Sequence, residues 1–221
     1  MPLPRLNRLV DLYRTVRAAR RVAQPHPTAA RPVIIFNAST RLSGHSQNAA
    51  FSLITAWALR ETGVPVIHFV CQGGLTKCVL GANPEAPNQP MPCAMCVRQS
   101  RITYHAANVH WLTWQPNPAL DADLAALDLN ALLTFRYPLG SLTLPLGELV
   151  LPALRWRLRL HHLQDDEATR ALYREFIRSA WNVARAFSAL LDQTHPQAVL
   201  VFNGQFYPEA TAAWVARQRG I

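Results

Sequence analysis

The hydrophobic pattern in the first part of this 221-residue chain predicts a strand, a helix and a second strand. Residues 33–36 form an uninterrupted apolar run, which is typical of a strand buried on both faces of a parallel sheet. The run 64–70, VPVIHFV, predicts the second strand. The helix between them should end at Gly63, a residue suited to a left-handed C-cap, and its apolar face is formed by Phe51, Ile54, Ala58 and Leu59. This unit has the size of a right-handed crossover in an α/β sheet.

The middle of the chain predicts further strands and an excursion from the sheet. A helix is expected over 95–107, a third strand over 109–114 and a fourth strand over 131–137. In the segment 138–163 we expect short broken helices, because proline interrupts helical hydrogen bonding at Pro138, Pro145 and Pro152.

The last third predicts a long helix, a buried strand and a final helix. Acidic residues at 165–167 favour a helix N-terminus, and an apolar stripe at helical spacing follows them at Leu172, Phe176, Ala180, Val183, Phe187 and Leu190. The run 198–202 predicts a strand, and 208–219 predicts a helix. We therefore expect an α/β fold, a Rossmann-like parallel sheet flanked by helices.

Two asparagines follow the first and last predicted strands in similar contexts, VIIFNAS and VLVFNGQ. They are Asn37 and Asn203, and the second is followed by Gly204 and Gln205. Ligands of open α/β sheets bind beyond the carboxyl ends of the strands, so both loops would line one crevice. The alternative is that each asparagine only caps or turns the chain.

The positive charge is concentrated at the N-terminal end. Residues 1–31 hold seven arginines and one acidic residue, so they carry +6 of the formal net charge of +9. Their arginines oppose an apolar stripe, which predicts a basic amphipathic helix and then a proline-rich linker at 24–32, before a domain that spans 32–221. Three interpretations are open. The helix packs on the domain with its basic face in solvent, residues 1–24 bind an anionic membrane surface, or the segment is a transit peptide.

Charge and hydropathy also exclude some classes of function. The rest of the chain is only weakly basic and its aromatic residues do not interleave with basic ones, so nucleic-acid binding is not expected. We expect neither a secretory signal, because charged residues interrupt the apolar pattern of the first 14 residues, nor a membrane-spanning segment. We expect a cytoplasmic protein, peripheral to the inner face of the membrane if the basic helix binds lipid.

All four cysteines lie between residues 71 and 96, in a predicted loop insertion after the second strand. Their spacing is C-x6-C-x14-C-x2-C, formed by Cys71, Cys78, Cys93 and Cys96. Four thiolates can enclose Zn²⁺ tetrahedrally, so a structural zinc ion is one interpretation. An iron–sulfur cluster, disulfides and unligated thiols are the alternatives.

The loop after the first strand, STRLSGHSQN, is the second candidate site. It precedes a helix N-terminus, where backbone N–H groups and the helix dipole favour an anion, and it contains Ser39, Thr40, Arg41, Gly44 and His45. His45 suits proton transfer near neutral pH, or it is a structural residue. The loop has neither the P-loop pattern nor the glycine spacing of a dinucleotide fingerprint, so we expect neither a nicotinamide nor a flavin cofactor.

Three segments together resemble the N-terminal half of GT-B-type glycosyltransferases, in particular bacterial proteins of surface and capsular polysaccharide biosynthesis. They are the loop after the first strand, PLGELVLPALRW at 145–156, and VFNGQFYPEATAAWVARQRGI at 201–221. The resemblance extends over 33–221 and includes the cysteine-rich loop, here CQGGLTKC and CAMC. It implies two Rossmann-like domains, of which the N-terminal one holds the acceptor and the C-terminal one the nucleotide-sugar.

The resemblance implies roles for individual residues. Residues 37–45 and 203–205 would face the cleft and bind a saccharide or lipid-linked acceptor, and His45 would deprotonate an acceptor hydroxyl. Only the acceptor-side domain is expected here, because a final strand and helix that end in Gly220 and Ile221 normally lead into another parallel strand. A donor domain would be supplied by a longer polypeptide or by a second chain. Without it, we expect weak nucleotide-sugar binding and no transfer.

Overall fold

The computed structural model describes residues 10, 13, 14, 16–19 and 21, and then residues 30–38, 47–81 and 89–221. The first strands and helices are β1 (Val33–Asn37), α1 (Gln47–Glu61), β2 (Val66–Cys71), α2 (Cys93–Thr103) and β3 (Asn108–Leu112). They are followed by α3 (Pro118–Ala125), α4 (Leu129–Leu133), β4 (Tyr137–Leu139), β5 (Leu142–Leu144) and α5 (Leu146–Leu158). The last are α6 (Glu167–Thr194), β6 (Ala198–Val201) and α7 (Tyr207–Gln218).

In the described parts of the chain, four parallel strands form the main sheet in the order β3-β2-β1-β6. Val33 of β1 pairs with Val66 of β2 on one side and with Ala198 of β6 on the other. The strand order therefore reverses at β1, as at the switch point of a doubly wound sheet. The α/β Rossmann-like architecture is confirmed.

Both faces of the sheet are covered by helices. Ile34 and Phe36 of β1 belong to the large core that includes residues of α5, α6 and α7. Ile35, which points to the opposite face because side chains alternate along a strand, packs with Ala56 of α1. Two-sided burial explains why β1 is apolar at every position before Asn37.

The long helix α6 is the main support of the larger core. Asp166 caps its N-terminus, with Oδ1 accepting a hydrogen bond from the Thr169 amide at 2.7 Å. Large side chains that this helix buries completely are Tyr173, Phe176 and Phe187. Helices α6 and α7 and the strands β1, β2, β3 and β6 were predicted, and the structure confirms them with boundaries shifted by a few residues.

The segment 131–163 differs from its prediction. The expected fourth strand over 131–137 is wrong, because Asp128 caps a short helix there and accepts a hydrogen bond from the Ala131 amide at 2.8 Å. The chain then forms an antiparallel hairpin, β4–β5. Instead of broken helices, 146–158 is one helix despite Pro152, because its buried face, which includes Leu146, Val150 and Leu154, packs on α6 and α7. Tertiary burial outweighs the cost of an interior proline.

The described residues between positions 10 and 21 are helical, and the amphipathic character predicted for this segment stays a prediction. Ala19 is buried, whereas Val10 and Tyr13 of the predicted apolar stripe are exposed, Tyr13 to 67%. Residues 22–29, which contain most of the predicted linker, lie outside the described residues. Within the described parts, none of the helices combines the length and the apolar character that crossing a membrane requires.

Candidate functional site

The candidate site lies at the carboxyl edge of the sheet, where β1 and β6 end side by side. Phe36 is level with Val201, so Asn37 and the loop 202–206 emerge at the same edge. The sequence predicted that the two asparagine-containing loops lie at one edge of the sheet, and the strand register places them there. The predicted site residues Ser39, Thr40, Arg41, Gly44 and His45 lie outside the described residues.

Asn37 is turned into the fold. Its side chain is 7% exposed. Its Nδ2 donates to the Ile35 carbonyl at 3.3 Å and lies 3.1 Å from Nδ1 of His68 on β2. An amide nitrogen can only donate, so this contact requires an unprotonated Nδ1 on His68. The geometry assigns Asn37 a role in joining β1 to β2, and its predicted contact with a substrate stays a prediction.

His68 is buried and neutral. Burial, followed by the positive charge of Arg60, lowers the pKa of His68 from 6.5 to about 3. Its ring packs on Tyr104 with centroids 4.6 Å apart. A histidine held neutral so far below physiological pH stores no proton for catalysis, so it acts as a packing and hydrogen-bonding group.

Asn203, Gly204 and Gln205 form a tight turn directly after β6. Asn203 and Gly204 both have positive φ, 39° and 66°. Asn203 Oδ1 accepts a hydrogen bond from the Gln205 amide at 3.0 Å, so the asparagine does turn the chain. Asn203 and Gln205 are nevertheless exposed, so the turn also presents amide groups to solvent.

An aromatic pair that the sequence analysis missed borders this turn. The Trp156 ring, from the last turn of α5, lies 5.0 Å from the ring of Phe206, which caps α7. The Arg159 guanidinium lies 5.0 Å from the Trp156 ring centroid, and Trp156 is 40% exposed. Nothing in the local pattern indicated the pair, because Trp156 stands in a proline-containing segment and meets Phe206 only through the packing of α5 on α7.

The four cysteines meet at a second place on the same edge. Cys71 ends β2, Cys78 lies in the loop that follows, and Cys93 and Cys96 occupy the first turn of α2. All four border one cavity of about 30 Å³, whose other walls include Ala38, Leu75 and Met91. The structure thus brings together all the residues predicted as metal ligands, and none of them forms a disulfide.

Burial disfavours charge on three of these thiols. It raises the pKa of Cys71 to about 11 and that of Cys96 to about 12, and the neighbouring cysteines add to both shifts. The pKa of Cys78 is raised for the same first reason. Among the described residues, no group of three or more His, Cys, Asp or Glu side chains is arranged to hold a metal ion. The cluster as it stands is a set of neighbouring thiols.

The cysteine-containing loop is anchored to the helices behind the sheet. Thr76 donates twice: its amide donates to Ser179 Oγ and its Oγ1 donates to the Glu175 carbonyl, both at 2.9 Å. Asn182 Nδ2 donates to the Gly74 carbonyl at 2.9 Å, and the Tyr207 hydroxyl donates to the Lys77 carbonyl. Helices α6 and α7 therefore hold the loop in place.

Comparison of the chain with protein-family models, with curated proteins and with solved structures gave no match.

Proposed function

We propose that this chain is the acceptor-binding half of a glycosyltransferase-like protein of surface polysaccharide biosynthesis. The observation that carries the proposal is the exposed aromatic surface of Trp156 beside the amide-bearing turn 203–205, at the switch point of the sheet. Sugar rings have an apolar C–H face and a rim of hydroxyls. An aromatic ring near exposed amide groups offers a partner for each part.

The chemistry of such a protein requires a second domain for the nucleotide-sugar. The acceptor hydroxyl would attack the anomeric carbon, forming a new C–O bond while the bond from that carbon to the phosphate oxygen breaks. The nucleoside diphosphate would leave, and His45 would take the proton of the acceptor hydroxyl. This chain would supply the acceptor contacts and the base, and a second domain or chain would bind the donor. The roles of residues 39–45 in this scheme rest on the sequence alone.

Saccharide binding tests the proposal. The 221-residue chain is titrated with fragments of bacterial surface polysaccharides, and binding is followed by NMR or calorimetry. Trp156→Ala and Gln205→Ala should each weaken binding by about tenfold, as expected for the loss of one or two contacts. Asn130→Ala is a matched control, because Asn130 is also exposed but lies on α4.

Binding that is unchanged in Trp156→Ala and Gln205→Ala, or absent for every saccharide, would contradict the proposal. Because Trp156 and Gln205 are both solvent-accessible, the variants should keep the thermal stability of the parent chain within a few degrees. A melting scan checks that the loss of binding is not a loss of fold.

A second candidate function is that of a non-catalytic module that binds an anionic membrane surface or a partner protein through its N-terminal helix. The observation in its favour is the joint exposure of apolar and basic residues there, Val10 and Tyr13 with Arg14, Arg17 and Arg21. Such a helix lies in a membrane interface with its arginines at the headgroups.

Vesicle sedimentation distinguishes this candidate. Binding to phosphatidylglycerol-containing vesicles should decrease with salt and should be reduced by Tyr13→Ser and by Arg17→Glu. Arg136→Glu is the control, since Arg136 is exposed on another part of the surface. Equal binding by all four proteins would exclude a role for the helix, whatever the outcome of the saccharide titration.

A further inference from the structure

The four thiols are held by two parts of the fold. Cys71 is the last residue of β2, which pairs with β1 and β3. Cys78 lies in the loop that follows, which α6 and α7 anchor through Ser179, Asn182 and Tyr207. The positions of these two thiols are therefore set by the sheet and by the helices behind it.

The other two cysteines stand at the start of a helix. Cys93 and Cys96 are three residues apart in the first turn of α2, so they share one face of the helix. The positive end of the helix dipole lies at this position and favours negative charge. Each half of the cluster is therefore held by its own element of the fold.

The size and the lining of the cavity that the thiols border limit what can bind there. Its volume of about 30 Å³ exceeds the roughly 10–15 Å³ that one small occupant needs, and a four-iron cluster would require the walls to separate. The walls other than the cysteines are largely apolar, including Leu75, Met91 and Val97. Four thiolates in such surroundings need a compensating cation.

We propose that Cys71, Cys78, Cys93 and Cys96 bind one structural Zn²⁺ ion at the carboxyl end of β2. Each thiol loses its proton to solvent, so four protons are released as four Zn–S bonds form. Because the described cysteines are not arranged around an ion here, zinc binding requires their side chains to move. Zinc fits this donor set because it accepts four thiolates tetrahedrally, at about 2.3 Å, and has no redox chemistry of its own.

The position of the ion defines its role. It joins the end of β2, the following loop and the start of α2. Ala38, the residue after β1, is part of the same cavity wall. A zinc ion here would stabilise the edge of the sheet from which the candidate saccharide site is built. The inference does not depend on what that site binds.

Metal analysis of the purified 221-residue chain tests the proposal. We expect about one zinc per chain and little iron. Cys78→Ser and Cys93→Ser should weaken zinc affinity by more than about tenfold. Replacement of zinc by Co²⁺ should produce the visible absorption of a tetrahedral cobalt thiolate, and thiol titration should detect the four cysteines only after chelation or unfolding.

Leu75→Ala is the matched control, because Leu75 is buried in the same cavity wall but has no ligand atom. It should lower the melting temperature and leave the zinc content unchanged, which separates metal loss from general destabilisation. Four freely titrating thiols in metal-free folded protein would overturn the proposal. So would a bound iron–sulfur cluster, or a mass that shows cysteines joined as disulfides.

Discussion

Acidification should destabilise the fold through His68, the buried histidine of β2. The folded protein holds its pKa at about 3, first because the ring is buried and second because Arg60 is positively charged. The unfolded chain has the ordinary value of 6.5. Below pH 6.5 the unfolded chain therefore binds a proton that the folded protein does not, and the free energy of unfolding decreases as pH decreases.

The size of the effect follows from the difference in pKa. As pH decreases from 6.5 towards the pKa of His68 in the folded protein, the residue lowers the free energy of unfolding by about 1.4 kcal/mol per pH unit. At about pH 4.5 the loss should be roughly 3 kcal/mol, a large part of the stability of a typical domain. Above pH 6.5 both states are neutral at His68, so the residue contributes no pH dependence there.

Urea denaturation of the parent chain and of His68→Phe, at several pH values between about 7.5 and 4.5, measures this contribution. Phenylalanine keeps a ring against Tyr104 but cannot titrate, and all other groups cancel in the difference. At neutral pH the variant should be the less stable protein, because it loses the contact with Asn37. Between about pH 7.5 and 4.5 the difference in free energy of unfolding should shift by roughly 3 kcal/mol in favour of the variant.

A difference between the two proteins that stays constant over this pH range would refute the reasoning. NMR gives an independent check that needs no variant. The ring resonances of His68 in the folded parent chain should not titrate between pH 8 and 5, and a transition near 6.5 would show that the ring is accessible to protons.

Two further predictions concern backbone positions. Gly74→Ala should lower the free energy of unfolding by about 1–3 kcal/mol in urea denaturation, because a Cβ would lie 2.3 Å from Leu112 Cγ and 2.7 Å from the Leu112 carbonyl oxygen. Gly81→Ala is the control and should be nearly neutral, because its nearest contact would be 3.4 Å away. Equal losses in the two variants would contradict the argument. Asp166→Ala should lower the free energy of unfolding by about 1 kcal/mol, because it removes the cap of α6. Asp166→Asn should lower it less, because asparagine keeps an acceptor oxygen for the Thr169 amide. Equal losses would indicate that the charge of Asp166 matters and not its capping hydrogen bond.

The sheet and its main helices could be predicted because their signals are local. Runs such as 33–36 are apolar at every position because both faces are buried, and α6 shows both a capping residue and a long apolar stripe. The common edge of Asn37 and Asn203 also followed from the sequence, since parallel strands end on the same side. The gathering of the cysteines followed from their clustering between residues 71 and 96.

What could not be predicted depends on contacts between distant residues. A short apolar run such as 131–137 fits a helix or a strand equally well, and the choice was made by Asp128 and by the burial of Leu132. The inward turn of Asn37 depends on His68, which is 31 residues away. The meeting of Trp156 with Phe206 depends on the packing of α5 against α7, which no local pattern contains.

The helix α6 connects the two candidate sites mechanically. It holds the cysteine-containing loop through Ser179 and Asn182, and the Asn182 amide also donates to the carbonyl of Thr113, after β3, at 2.9 Å. It packs along α7, the helix that starts at the turn 203–205. Because the cysteine-containing loop contacts α6 and the turn precedes a helix that packs on α6, the core sets their separation. Loss of the Asn182 side-chain hydrogen bonds should therefore perturb the cysteine cluster more than it perturbs the turn after β6.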